Sequence, residues 1–376
     1  MYCRLLELHD FRNFPKLSLE LPNGPVVVLG RNGQGKSNLL ESLLALTSGR
    51  GRAHRLLSEL ILRDRGHIRP FARIRAEVIS GGYPTRLELV FSVTSEANIG
   101  MGQRASRRVV VDGKPRPVSN LLGHLNSVHF SPNDIELLSG GPAGRRRFLD
   151  VSISQVDPNY VRDLVDYGRV LSQRNALLRE LRERRGTSES LGFWNEKLIE
   201  LGQRLVEVRR GFVEVLNRES SRAYCELSGS DEVLATEYLI ADGRSLSLLN
   251  EVQQREIERG QTLVGPHRDD LNIVVNEQPV EAFASRGQQR LVVLSLRLAE
   301  VKWLSNESND VPVLLLDDIF SELDPEHREA VIYRIPKQAQ VFITAADDAQ
   351  VPVHFGRHAA ILRISEGNAD WESQSS

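Results

Sequence analysis

Eight residues near the start of the chain, Gly30-Arg31-Asn32-Gly33-Gln34-Gly35-Lys36-Ser37, constrain the fold more than any other feature. They match the pattern G-x-x-x-x-G-K-[ST], in which a glycine-rich loop cradles phosphates with its backbone N–H groups. The pattern requires a buried strand before it and a helix after it. Both are legible. Pro25 to Gly30 (PVVVLG) is a continuous apolar run, and a helix is expected from Lys36 to about Leu46. The helix N-terminus adds partial positive charge. Lys36 is expected to reach the β- and γ-phosphates of ATP, and the Ser37 hydroxyl to bind Mg2+.

Three further motifs complete this reading. Val313-Leu314-Leu315-Leu316-Asp317-Asp318 is a buried strand ending in two carboxylates. Asp317 is expected to hold Mg2+ through water, and Asp318 to orient or deprotonate the attacking water. Ser285-Arg286-Gly287-Gln288-Gln289-Arg290 lies 32 residues before Asp317, at the head of an amphipathic helix. An S-x-G-Q turn there is the signature arrangement of ABC ATPases. Ser285, Gly287 and Gln288 would then bind the γ-phosphate of a nucleotide held by a second copy. A plain helix cap by Ser285 is the alternative. Ser321-Glu322-Leu323-Asp324 matches the loop that crosses between two such sites.

The chain between these motifs sorts into a head and an insertion. Strands are expected at 2–9, 16–21, 71–79, 86–93, 312–316 and 340–344, with a hairpin at Asp112-Gly113. Between the two groups, 157–185 and 191–224 show helical spacing around a Gly186-Thr187-Ser188 break. They predict a short antiparallel arm of helices roughly 40–50 Å long. The fold class is α/β, a mostly parallel sheet assembled from both ends of the chain. We place the head at 1–125 with 262–376 and the helical subdomain at 126–261.

Composition narrows the class further. Two distant cysteines, Cys3 and Cys225, form neither a disulfide scaffold nor a zinc site. No apolar stretch approaches a membrane span and the first residues do not read as a signal peptide, so a cytoplasmic protein is expected. The formal charge of −2 is uninformative, but its distribution is not: residues 50–116 carry 14 Lys/Arg against 6 Asp/Glu. Arg50, Arg52, Arg55, Arg63, Arg65, Arg104, Arg107 and Arg108 are candidates for gripping DNA phosphates. A solvated basic face is the alternative.

Phe11-Arg12-Asn13-Phe14, Phe130-Ser131-Pro132-Asn133-Asp134, Arg145-Arg146-Arg147-Phe148-Leu149-Asp150 and Gly265-Pro266-His267-Arg268-Asp269-Asp270 carry the resemblance to a family. Together with the motifs above they make the chain resemble the RecF family over nearly its whole length. The resemblance implies an ABC/SMC-type P-loop ATPase head with an inserted α-helical hairpin subdomain. It further implies an ATP-dependent homodimer, binding to gapped or junction DNA, slow hydrolysis, and cooperation with RecR and RecO in loading RecA. Arg12 is open to two readings, a nucleotide contact or a surface arginine. So is Arg145–Arg147, as a DNA grip or a cap on the arm; His267 and Arg268 suit a structural network. The chain departs from the general ABC pattern at three places. Asp318 stands where Glu is usual, no Q-loop glutamine is evident, and residues 344–348 (Thr-Ala-Ala-Asp-Asp) lack the switch histidine. The competing functions are a transporter's nucleotide-binding subunit and an ATP-gated structural clamp with negligible turnover.

Overall fold

Alternation of apolar and polar residues closes the first segment into an antiparallel hairpin. In the computed structural model, which describes residues 1–49, 57–62, 70–94, 104–185, 187–241 and 245–372, β1 (Tyr2–Phe11) pairs with β2 (Phe14–Glu20). The buried run β3 (Pro25–Leu29) leaves that sheet and leads through the glycine-rich loop into α1 (Lys36–Ser48). β4 (Phe71–Ser80), β5 (Tyr83–Thr94), β6 (Arg104–Val111) and β7 (Lys114–Arg116) then extend the antiparallel sheet in the order β2-β1-β4-β5-β6-β7. The hairpin expected at Asp112-Gly113 joins β6 to β7. β8 (Ser127–Phe130) belongs to a second sheet.

Helices follow: α2 (Glu136–Ser139), α3 (Pro142–Ser154), α4 (Pro158–Arg182) and α5 (Leu191–Ser228). Next come β9 (Leu234–Leu239), α6 (Leu246–Arg259), β10 (Asp270–Val275), β11 (Gln278–Pro279), α7 (Val280–Phe283) and α8 (Arg286–Ser308). The chain ends with β12 (Val313–Asp317), α9 (Pro325–Arg334), β13 (Val341–Ala345), α10 (Val353–Gly356), β14 (Ala360–Ser365) and β15 (Asn368–Trp371).

The second sheet runs β15-β14-β3-β13-β12-β8. Every pair from β14 to β8 is parallel, and only β15 is antiparallel. This is the expected sheet built from both ends of the chain. Its central strands β3, β13 and β12 are near-continuous apolar runs because both of their faces are covered. Val26, Val28, Val313, Leu315 and Phe342 share one core with Leu39, Leu40, Leu43 and Leu46 of α1 and with the antiparallel sheet. Val27, Leu29 and Ala345 pack on the other side with Val351 and Ala359.

Two compact units result: Met1–Asp134 with Glu300–Ser376, and Ile135–Ala299. These boundaries differ from the expected 125/126 and 261/262. Residues 262–299 fall in the second unit because β10 pairs with β9 and packs against α3, while β9 packs against α5. The arm is also less even than expected. α4 has 25 residues and α5 has 38, so their lengths are about 37 and 57 Å at the usual rise.

Candidate nucleotide site

The glycine-rich loop is shaped by close contacts that only glycine permits. A Cβ on Gly30 would meet the Ile364 carbonyl oxygen at 2.4 Å. Gly35 stands at φ 115°, and a Cβ there would meet the Asn13 amide at 2.4 Å. The loop is braced from outside: Asn13 Nδ2 donates to the Gln34 carbonyl (2.8 Å), Asn38 Nδ2 donates to Asn13 Oδ1 (2.8 Å), and the Glu366 N–H donates to Gln34 Oε1 (2.6 Å). Gln34 therefore spends its side chain on the scaffold. Arg31, Asn32 and Gly33 form the exposed rim.

Gly35 is the N-cap of α1, so the first-turn N–H groups have no side-chain acceptor and point into the loop. Lys36 is buried, and its ammonium donates to the carbonyls of Gly30 (2.5 Å) and Arg31 (3.3 Å). Burial lowers its pKa below the ordinary lysine value, against the opposing influence of the Asp318 and Asp317 carboxylates.

The acidic strand end meets this loop directly. Ser37 Oγ donates to Asp317 Oδ1 at 2.8 Å across 280 residues of sequence. The parallel register sets Asp317 opposite Thr344, whose hydroxyl also donates to Asp317 Oδ1 (3.0 Å). The same hydroxyl accepts from the Asp318 N–H at 2.8 Å. Asp318 is held left-handed at φ 55°, a strained conformation for a residue with a Cβ. One hydroxyl and one carboxylate side by side are the hard oxygen donors that Mg2+ takes from a protein, phosphates and water supplying the rest. The described residues hold no group of three or more His, Cys, Asp or Glu that could bind a metal.

Sequence reasoning missed Thr344 and gave Asn13 no role. The signal for Thr344 was a lone hydroxyl ending the apolar run of β13. Of the two readings of Arg12, the surface arginine is overturned by its contacts. It is half-buried, forked onto Glu41 of α1 through Nε (2.8 Å) and Nη2 (2.9 Å), and donates to the Glu59 carbonyl (2.7 Å).

In the second unit, Ser285 and Gln288 cap α8 reciprocally. The Gln288 N–H donates to Ser285 Oγ (3.3 Å), and the Ser285 N–H donates to Gln288 Oε1 (3.0 Å). The Gln288 amide also donates to Glu232 (3.1 Å). Ser285 and Gly287 are exposed, so the turn is both a helix cap and an accessible surface.

Two arginines of the Arg145–Arg147 run are tied into this unit by hydrogen bonds. Arg145 forks onto Asp270 (2.7 and 2.9 Å), and Arg146 donates to the Asp269 carbonyl (2.6 Å). His267 Nδ1 pairs with the Tyr167 hydroxyl at 2.7 Å, and Arg268 reaches the Thr262 carbonyl (3.1 Å).

The candidate DNA-binding arginines are only partly placed. Arg50, Arg52, Arg55, Arg63 and Arg65 lie outside the described residues, and Arg104 is described in its backbone only. Arg107 and Arg108 face opposite sides of β6. Arg107 donates to the Gly49 carbonyl at the C-terminus of α1 (2.8 Å), a favourable place for a cation. Arg108 is exposed and 3.7 Å from Glu88, which also pairs with Arg75.

Comparison with known proteins matches this geometry. The family model described as RecF/RecN/SMC N terminal domain matches residues 2–364. A DNA replication and repair protein RecF from Herpetosiphon aurantiacus is 41% identical, with 98% of this chain and 99% of that protein covered. Its counterpart in Bacillus subtilis is 32% identical over the same shares. A solved structure described as the recombination mediator protein RecF-ATP in the RecFOR pathway superposes with a TM-score of 0.87. It is 31% identical and covers 99% of this chain and 98% of its own. An Smc head bound to the C-winged helix domain of ScpA, 17% identical with a TM-score of 0.55 and covering 100% and 98%, shares the fold. Among the described residues no helix is long and apolar enough to cross a membrane. With its glycine-rich loop, paired carboxylates and helical insertion matched from end to end, the chain belongs to the RecF family.

Proposed function

We propose that this chain is an ATP-dependent DNA-binding protein of recombinational repair and replication restart, and a slow ATPase. The observation that carries the reading is the 2.8 Å contact between Ser37 and Asp317, which joins the phosphate loop to the acidic strand end. Phosphate charge is met by the loop N–H groups, the start of α1 and Lys36. Ser37, with Asp317 through water, would hold Mg2+, which would supply positive charge against the phosphates. Asp318 orients or deprotonates the attacking water, and its side chain, one methylene shorter than Glu, reaches less far and slows turnover. The similarity to a RecF–ATP structure supports ATP as the nucleotide.

In this reading the exposed Ser285–Gly287 turn closes on the γ-phosphate held by a second copy, so ATP drives homodimerisation. Paired basic surfaces then grip the duplex backbone at gaps or junctions, and RecR and RecO join the complex to help load RecA. Ser285→Arg should keep nucleotide binding yet abolish ATP-induced dimers. Unchanged dimers by light scattering would refute the shared site. Gapped DNA should raise the ATPase rate, and log K for DNA should fall steeply with log salt. A near-flat plot counts against a phosphate grip.

A further inference from the structure

We propose that Thr344 is a positioning residue for hydrolysis, aligning the metal-side carboxylate and the water-side aspartate with one hydroxyl. The inference deepens the reading above and rests on it.

Thr344 is buried near the end of β13, a strand otherwise made of Val341, Phe342, Ile343 and Ala345. Burial alone would be served by another valine. The hydroxyl instead uses both of its capacities at the site: it donates to Asp317 Oδ1 and accepts from the Asp318 N–H. Asp317 Oδ1 thus receives hydroxyl bonds from two separate elements, Ser37 on α1 and Thr344 on β13. Two donors converging on one oxygen fix the carboxylate's rotation and so the direction of its other oxygen. The bond to the Asp318 N–H acts on the backbone. It helps hold Asp318 left-handed, which sets the direction in which that side chain leaves β12. Small displacements of a catalytic group lower rates by large factors, so a hydroxyl that touches no phosphate can still control turnover. Thr344 thus reaches both aspartates from β13 with one side chain.

The test uses the full-length protein and the variants Thr344→Val, Thr344→Ser and Lys36→Ala. Thr344→Val should lower kcat about tenfold or more while the KM for ATP stays within about twofold. It should also weaken Mn2+ binding several-fold, read by electron paramagnetic resonance with a non-hydrolysable ATP analogue. Thr344→Ser, which restores the hydroxyl, should recover most of both. Wild-type kcat and wild-type Mn2+ affinity in Thr344→Val would overturn the inference. So would losses that track a lowered melting temperature and that Thr344→Ser leaves unrepaired. Lys36→Ala separates the two levels: ATPase that survives it defeats the proposed function itself, whereas Thr344→Val bears only on the positioning role.

Discussion

Asp318 combines strain and chemistry in one residue. Its left-handed backbone is one that Asn tolerates at least as well as Asp, so Asp318→Asn should leave the local fold intact and remove only the base. ATP binding should stay within a few-fold of wild type, hydrolysis should fall about a hundredfold or more, and ATP-bound dimers should accumulate. A dimer that still turns over at the wild-type rate would move the base elsewhere. His267 offers a test with a defined sign. Burial lowers its pKa from 6.5 to about 4. Above pH 6.5 it is neutral in both states and contributes no pH dependence. Between 6.5 and 4 the unfolded chain takes up a proton that the native chain refuses, so stability falls with acid, by at most about 3 kcal/mol. His267→Gln keeps a hydrogen-bonding side chain without the titration. Its urea midpoint should therefore drop less than the wild type's between pH 7.5 and 4.5. An equal drop would place the acid sensitivity in other groups.

At the scale of elements, the arm is tied to the helix behind it by a buried charge. Arg174 of α4 and Glu256 of α6 have fully buried side chains that meet at 2.6 Å. Arg174 also donates to Asn195 of α5 and to Thr262, both at 2.8 Å. Removing one member of such a pair strands the other, so Arg174→Met should cost about 3–5 kcal/mol in urea unfolding. Arg174→Met with Glu256→Met should cost less than the two singles added together; strict additivity would deny the coupling. This pair also marks where the sequence stops being legible. The apolar runs of β3, β12 and β13 and the seam of α5 follow periodicity, which local residue spacing determines. The Arg174–Glu256 pair, the Arg12–Glu41 fork and the Thr344 bridge arise only when distant segments pack, so no local spacing carries them. The extent of the second unit, 135–299, likewise depends on β10 pairing with β9. The glycine-rich loop and paired aspartates were readable since phosphate chemistry demands those residues in order.

For the whole molecule, the decisive question is whether one active site draws on two chains. A homodimer with twofold symmetry would hold two equivalent sites, each using the loop of one copy and the Ser285 turn of the other. Lys36→Ala disables the loop of its own copy, and Ser285→Arg disables the turn that the same copy lends to its partner. Each variant alone should be inactive. In a mixed dimer one site carries both defects, while the other joins an intact loop to an intact turn. An equal mixture should therefore regain about a quarter of the wild-type ATPase rate if pairing is random, half the dimers each holding one working site. If each chain were complete in itself, mixing would restore nothing, because neither variant could repair the other. Activity that rises with the square of total protein at low concentration, in the mixture but in neither variant alone, would tie the recovery to assembly of the shared site.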